Sequence, residues 1–214
     1  SFSLHYIELK RLNMLDVFFE NVEFVKKQGC SFVVQINMYD GYIPYINEIK
    51  AVCKERLGAW PQVAATRKED KGIKKIEFLT QLSDEKYIEY GKEFSSSLFE
   101  YTIENFNVKR NEFCYAGQRS GTLNLSDGTL CKCYADPKPQ KIFDDPNKPI
   151  VFEPIGTNCG CTFCLNSSHF MSQGVIENGD GRTYCSLRDR PEANWFNETT
   201  RFALSRKLWD INES

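Results

Sequence analysis

Strand-like and helix-like patterns of apolar residues alternate along the first third of the chain. Three short stretches have the alternation or the β-branched content that is typical of strands. They are the opening SFSLHYIELK, in which Phe2, Leu4 and Tyr6 alternate with polar residues, then SFVVQIN at 31–37 and PQVAATR at 61–67.

The stretches between these strands predict helices. In the first, apolar residues recur at helical spacing before Gly29, at Leu15, Phe18, Val22 and Val25. In the second, which begins near Pro44 and ends before Gly58, they recur at Ile46, Ile49, Cys53 and Leu57. Glycine favours the backbone conformation that ends many helices, and proline suits a first helical turn. The order βαβαβ predicts a parallel sheet with right-handed crossovers.

Further along, the composition changes. Ser83 is the predicted N-cap of a long helix that runs to about Asn105, because serine suits this position and acidic residues follow it in the first turn. From residue 111 the chain is rich in Cys, Gly, Asn, Asp and Pro. We therefore predict an α/β domain over 1–110 and a small cysteine-rich α+β domain over 111–214. A last helix over about 197–209 is expected to dock on one of them.

A β-hairpin is predicted inside the cysteine-rich part. Asp127-Gly128 is a hairpin turn signal between two short β-like runs, 122–125 and 129–133. Such a turn brings the return strand back towards the segment that carries Cys114. Two thiols that are far apart in the sequence, Cys114 and Cys133, are thereby expected to become neighbours.

Seven of the nine cysteines lie between residues 114 and 185. Thiolates are ligands for zinc and for iron–sulfur clusters, so this density predicts a metal site. The candidate ligands are Cys114, Cys133, Cys159, Cys161, Cys164 and Cys185. Cys131 points to the same side of its strand as Cys133 and is an alternative to it. His169 is a further candidate, although a lone helix histidine more often packs or caps. Cys30 and Cys53 are expected in the core, because a thiol packs as a small hydrophobe.

Bulk properties narrow the class of protein. The net charge of −2 over 214 residues does not favour binding to nucleic acids or anionic membranes. No apolar run approaches the roughly 20 residues that a membrane span needs. The opening residues lack the pattern of a secretory leader, so we expect a cytoplasmic protein with metal rather than a disulfide framework. The chain starts without Met and directly on a strand pattern, as expected for a piece of a longer protein.

Both halves resemble the radical SAM enzymes. Gly128-x4-Cys133 after a distant Cys114, with Cys161-x2-Cys164, resembles the auxiliary cluster domains called SPASM and twitch. The full SPASM pattern breaks at Phe170 and Gly174, so the one-cluster twitch type fits better. In the first half, SFSLHYIELK, NVEFVKKQGCSFVVQINMYD and INEIKAVCKERLGAWPQVAATRK look like the later β/α units of the family's partial barrel.

The resemblance implies an enzyme that cleaves S-adenosylmethionine reductively and abstracts hydrogen from its substrate, a peptide in many relatives. It implies an auxiliary 4Fe–4S cluster, and it makes His5, Gln35 and Asn37 candidates for lining the SAM or substrate face; ordinary polar filling is the alternative. The family's Cys-x3-Cys-x2-Cys loop is absent, so these 214 residues alone are expected to be inactive. The rival class is a non-enzymatic zinc module fused to an α/β domain.

Overall fold

A computed structural model of the chain describes residues 1–68, 75–109, 113–118, 121–133, 138–157, 159–164 and 182–206. Within these ranges the chain is mixed α/β, with seven α-helices and two three-stranded sheets, one parallel and one antiparallel. The α/β class is therefore confirmed. Three parallel strands do not establish a partial β/α barrel, which stays a prediction.

The parallel sheet consists of β1 (Phe2–Ser3), β2 (Val34–Asn37) and β3 (Gln62–Ala64), in that order. β1 and β3 both pair in parallel with β2, as the βαβαβ pattern predicts. Val34 and Ile36 of β2 are buried, whereas Asn37 on the other face is exposed. This alternation gives the sheet one apolar face and one more polar face.

Three helices accompany the sheet: α1 (Tyr6–Arg11), α2 (Leu15–Lys27) and α3 (Ile46–Leu57). The opening strand is shorter than predicted, because β1 ends at Ser3 and α1 begins three residues later, at Tyr6. Basic residues in the last turn of α1 favour that helix through its dipole. Pro44 lies in a 3₁₀ helix over Asp40–Tyr45, which precedes α3.

The long helix predicted from Ser83 is wrong, because the structure has two helices there, α4 (Asp84–Lys92) and α5 (Ser97–Asn105). Ser83 caps α4 as predicted, by accepting a hydrogen bond from Lys86 N. Ser95 has a positive φ of 46°, and the hydroxyl of Ser96 then accepts from Phe99 N and caps α5. A cap inside a helical pattern starts a new helix, because it replaces the bond that the preceding turn would make.

The antiparallel sheet consists of β4 (Thr122–Asn124), β5 (Thr129–Cys131) and β6 (Gln140–Lys141), in that order. The predicted hairpin is confirmed, with shorter strands than expected, and β6 was not predicted. Gly128 has a φ of +67°, the left-handed conformation that glycine adopts at least cost.

Two helices end the described chain, α6 (Tyr184–Arg188) and α7 (Glu198–Arg206), with a 3₁₀ turn between them. Trp195 is fully buried in the core of the parallel-sheet half, where its ring lies 5.3 Å from that of Phe32. Its Nε1 donates to the carbonyl of Leu57 at 3.2 Å. Part of the chain beyond residue 110 therefore belongs to the first core. α7 docks beside it, as predicted, and the predicted end of this helix beyond residue 206 lies outside the described residues.

Candidate thiolate site

Two segments that carry cysteines pair with each other. Cys114 and Gly156 exchange two backbone hydrogen bonds, Cys114 N to Gly156 O at 3.0 Å and Gly156 N to Cys114 O at 2.9 Å. A second antiparallel bridge joins Lys109 and Phe163. The segment that holds Cys159, Cys161 and Cys164 therefore runs antiparallel beside the segment that ends at Cys114.

The hairpin returns to the same place. Lys132, which directly precedes Cys133, forms an ion pair with Glu153, with Nζ and Oε1 2.7 Å apart. Lys132 also lies against Gly117, where an added Cβ would meet its Cγ at 2.6 Å. Gly117 is three residues after Cys114, so the end of the return strand lies next to the Cys114 segment, as the turn at Asp127-Gly128 predicts.

The thiols in this region differ in exposure. Cys159 is exposed, and the others are half-buried, namely Cys114, Cys131, Cys133, Cys161 and Cys164. Burial raises the pKa of Cys114, and the negative charge of a Cys159 thiolate raises it further. Cys159 lies three residues after Gly156, the residue that pairs with Cys114. A raised pKa keeps Cys114 protonated near neutral pH, so a metal ion would have to displace its proton.

The described residues do not form a complete ligand set. Among them, no three His, Cys, Asp or Glu side chains are grouped so that they could hold a metal ion. The thiols are thus brought to one region without forming a cage, and no chemical step can be derived through a cluster from this geometry. The assignment of Cys133, Cys161 and Cys164 as ligands stays a prediction, and His169 lies outside the described residues.

Cys185 lies elsewhere. It is 7% exposed and packs in the core of the parallel-sheet half. Burial raises the pKa of its thiol, and the Ser205 hydroxyl partly offsets this increase. Packing in this core is sufficient to explain why a cysteine is buried at position 185, and the role of Cys185 as a metal ligand also stays a prediction.

Two further cysteines, Cys30 and Cys53, were predicted to lie in the core. Cys53 is fully buried, as expected, whereas Cys30 is exposed, so the prediction for Cys30 is wrong.

The second candidate region is the polar face of the parallel sheet. Gln35 lies between Ser3 and Gln62 in the register, and Asn37 follows on the same face. Gln35 Oε1 is buried and has no hydrogen-bond partner among the described residues, whereas Asn37 is exposed. A buried acceptor without a donor is uncommon and fits a site for a ligand or a bound water. His5 is exposed at the start of α1 rather than on a strand, so its predicted position is wrong.

Sequence reasoning missed the polar contacts that close one end of this face. Gln62 is fully buried; its Oε1 accepts from Ser96 Oγ at 2.7 Å, and its Nε2 donates to Asp189 O at 3.2 Å. The guanidinium of Arg190 donates to the carbonyls of Pro61, Phe94 and Ser95. A glutamine at the start of an apolar strand was the available signal for Gln62, but its partners come from distant segments.

Comparison with known proteins does not identify the chain: no known protein family, curated protein or solved structure matches it. None of the helices in the described part of the chain is both long and apolar enough to cross a membrane.

Proposed function

We propose that this chain contributes an auxiliary iron–sulfur cluster domain and β/α units to a radical SAM enzyme. The proposal begins from the resemblance of the cysteine spacing and of the β/α segments to that family. The required Cys-x3-Cys-x2-Cys loop would come from residues beyond these 214. Substrate class, and a peptide substrate in particular, is an extension of the same resemblance.

The observation that carries the proposal is the pairing of Cys114 with Gly156. It aligns the Cys114 segment with the Cys-x-Cys-x2-Cys segment, and the Lys132–Glu153 ion pair adds the end of the hairpin. A thiolate site built from chain segments distant in sequence needs these segments to lie side by side in the metal-bound protein. The described thiols would have to move together on binding, because no group of three is close enough in the described residues.

The polar face of the parallel sheet supports the other element of the proposal, namely that the β/α units belong to a radical SAM enzyme. Gln35 Oε1 is a buried acceptor that a ligand donor would satisfy, and Asn37 is exposed beside it. These side chains can position the polar groups of a bound molecule through hydrogen bonds. They are not placed to move electrons or to start radical chemistry.

The test is anaerobic reconstitution of this chain with ferrous iron and sulfide, and in parallel with zinc alone. We expect a brown protein with broad visible absorption that contains both iron and acid-labile sulfide. Cys114→Ser should lose most of the bound iron, since a hydroxyl is a far poorer ligand for soft metals. Cys30→Ser, which removes an exposed thiol outside the cysteine-rich part, is the matched control.

Three outcomes distinguish the iron–sulfur proposal from the structural zinc module and from a chain that binds no metal. Iron and sulfide lost in Cys114→Ser and kept in Cys30→Ser support the proposal. A colourless protein that binds zinc tightly through the same cysteines replaces it with the structural zinc module. No stoichiometric metal under either condition, with the protein folded, refutes both.

A further inference from the structure

The C-terminal helix α7 contacts the rest of the protein through a mostly polar face. Its half-buried residues among 198–205 are Thr200, Arg201, Leu204 and Ser205, which share one side of the helix, and none of its described residues is fully buried. Phe202, on another side, is 63% exposed. Leu204 alone in this face is apolar, and it packs against the core.

Named polar contacts hold this helix in place. Ser31 Oγ donates to Thr200 Oγ1 at 2.7 Å, and Arg201 Nε donates to Asp189 Oδ2 at 2.7 Å. Asn197, just before the helix, donates its side-chain amide to Gly29 O at 2.9 Å and its backbone N–H to Ser31 Oγ at 2.9 Å. These contacts join α7 to the loop before β2 and to the residue after α6.

The helices that flank the parallel sheet are attached differently. α2 buries Phe19 and Val22, and α3 buries Ile49, Cys53 and Leu57. Apolar burial is the main favourable term in folding, whereas a polar contact replaces equivalent contacts with water and stabilises little on balance. Local opening concentrates in elements with few buried apolar contacts. This difference in buried apolar residues predicts a lower opening free energy for α7 than for α2 or α3.

A buried thiol lies beneath α7. Cys185 is 7% exposed and belongs to α6, which packs against α7. We propose that α7 is a detachable strap: it opens as a unit from the rest of the described fold, uncovers Cys185, and leaves the parallel sheet folded. This inference does not depend on the proposed metal chemistry, because the contacts on which it rests join α7 to Gly29, Ser31 and Asp189.

Two buried thiols in one chain allow an internal comparison. Exposed thiols are first blocked with a short pulse of N-ethylmaleimide. Slow labelling of Cys185 and of Cys53, which is fully buried on the inner face of α3, is then followed by peptide mass spectrometry. Labelling is measured under native conditions, where it reports the fraction of molecules that are open. In the wild type we expect Cys185 to react at least about tenfold faster than Cys53, since α7 opens locally and α3 does not.

The variant Thr200→Val tests the polar contacts that hold α7, because it keeps the side-chain shape and removes the acceptor for the Ser31 hydroxyl. Arg201 is avoided as the main variant, because its charge lowers the pKa of Cys185 and so changes the reactivity of the thiol itself. We expect Thr200→Val to speed labelling of Cys185 about fivefold and to leave Cys53 unchanged, because it weakens only a local contact. Thr199→Ala, at an exposed position on the same helix, is the control.

Amide hydrogen exchange gives a second readout that does not depend on thiol chemistry. Backbone amides of 198–205 should exchange faster in Thr200→Val, while those of 34–37 keep their protection. Equal labelling of Cys185 and Cys53 in the wild type overturns the proposal, because it means that both thiols are uncovered only by global unfolding. The same conclusion follows if Thr200→Val accelerates both thiols by the same factor, or neither.

Discussion

Different interactions stabilise two regions of this chain: the parallel-sheet half, which is built around β1, β2 and β3, and the hairpin part, residues 113–164. The first has a continuous core that includes Phe19, Ile36 and Trp195, and all three side chains are essentially inaccessible to water. Between residues 113 and 164, Ala116 is the one buried apolar residue among those described, and all three residues of β4 are exposed. Exposed ion pairs and turn hydrogen bonds take the place of a core there.

This difference in apolar burial indicates which region a bound metal would stabilise. Large apolar side chains in the hairpin part face water, with Leu125 at 75%, Phe143 at 55% and Phe152 at 55% exposed. A segment that buries so little apolar area cannot offset its ordering entropy by packing alone. Under the proposed function, metal–thiolate bonds supply the missing stabilisation, whereas the sheet half is stabilised by its own core.

Breaking the core of the sheet half should have the largest effect. Trp195→Ala removes a fully buried ring and the hydrogen bond to Leu57, and we expect a loss of about 3–5 kcal/mol in the free energy of unfolding. Leu125→Ala at an exposed hairpin position should change it by less than about 0.5 kcal/mol. Chemical denaturation followed by circular dichroism measures both. Similar losses in the two variants would mean that the hairpin shares the core.

A matched pair of polar side chains sharpens the comparison. Ser96 is fully buried and links Gln62 and the backbone N–H of Val63. Ser96→Ala removes the donor to the buried Gln62 Oε1 and the acceptor for the Val63 N–H, which should cost about 2 kcal/mol of global stability. Asn124 accepts from the N–H and hydroxyl of Ser126 in the exposed hairpin turn. Asn124→Ala should leave the denaturation midpoint unchanged; a global loss as large as that of Ser96→Ala would contradict the division.

Two glycines with positive φ test the same division through backbone strain. An added Cβ at Gly58 (φ +80°) would lie 3.1 Å from Ala193 Cβ, and one at Gly128 (φ +67°) would lie 2.4 Å from the ring of Phe143. Alanine in the left-handed region costs about 1–2 kcal/mol. Gly58→Ala should therefore lower global stability by that amount.

Gly128→Ala should speed hydrogen exchange in β4, β5 and β6 without moving the global transition, because Phe143 is exposed and the hairpin is not part of the core. Global destabilisation by both glycine variants would show that the two regions unfold together.

The smallest effect concerns pH. The hydrogen bond from Lys141, with bonds from Thr129, lowers the pKa of Asp127 to about 2. Because the folded pKa lies below the unfolded value of about 3.9, the stabilisation is present above pH 4 and is lost as the pH falls towards 2. Lys141→Met should raise the Asp127 midpoint in a carboxyl NMR titration. An unchanged midpoint would mean that the ion pair is not formed in solution.

Local patterns predicted much of the fold. The periodic apolar residues of α2 and α3, the N-cap at Ser83 and the Asp127-Gly128 turn each depend on neighbours within a few residues, and each is found as predicted. The break between α4 and α5 was missed, because Ser96 lies within an apolar helical pattern, and its hydroxyl is held by Gln62 and Val63, which are distant in the sequence, as well as by Phe99 N. His5 was misplaced because two residues of strand cannot be told from a longer one by alternation.

For the candidate site, the sequence by itself determined which residue types are available and that the hairpin turn reverses the chain. The tertiary structure decided their neighbours: Cys114 pairs with Gly156, and Cys185 lies in a core formed mostly by residues more than 80 positions earlier. Spacing along a chain limits which residues can meet but does not select among them. That selection depends on which apolar surfaces are buried together, and this is a property of the whole fold.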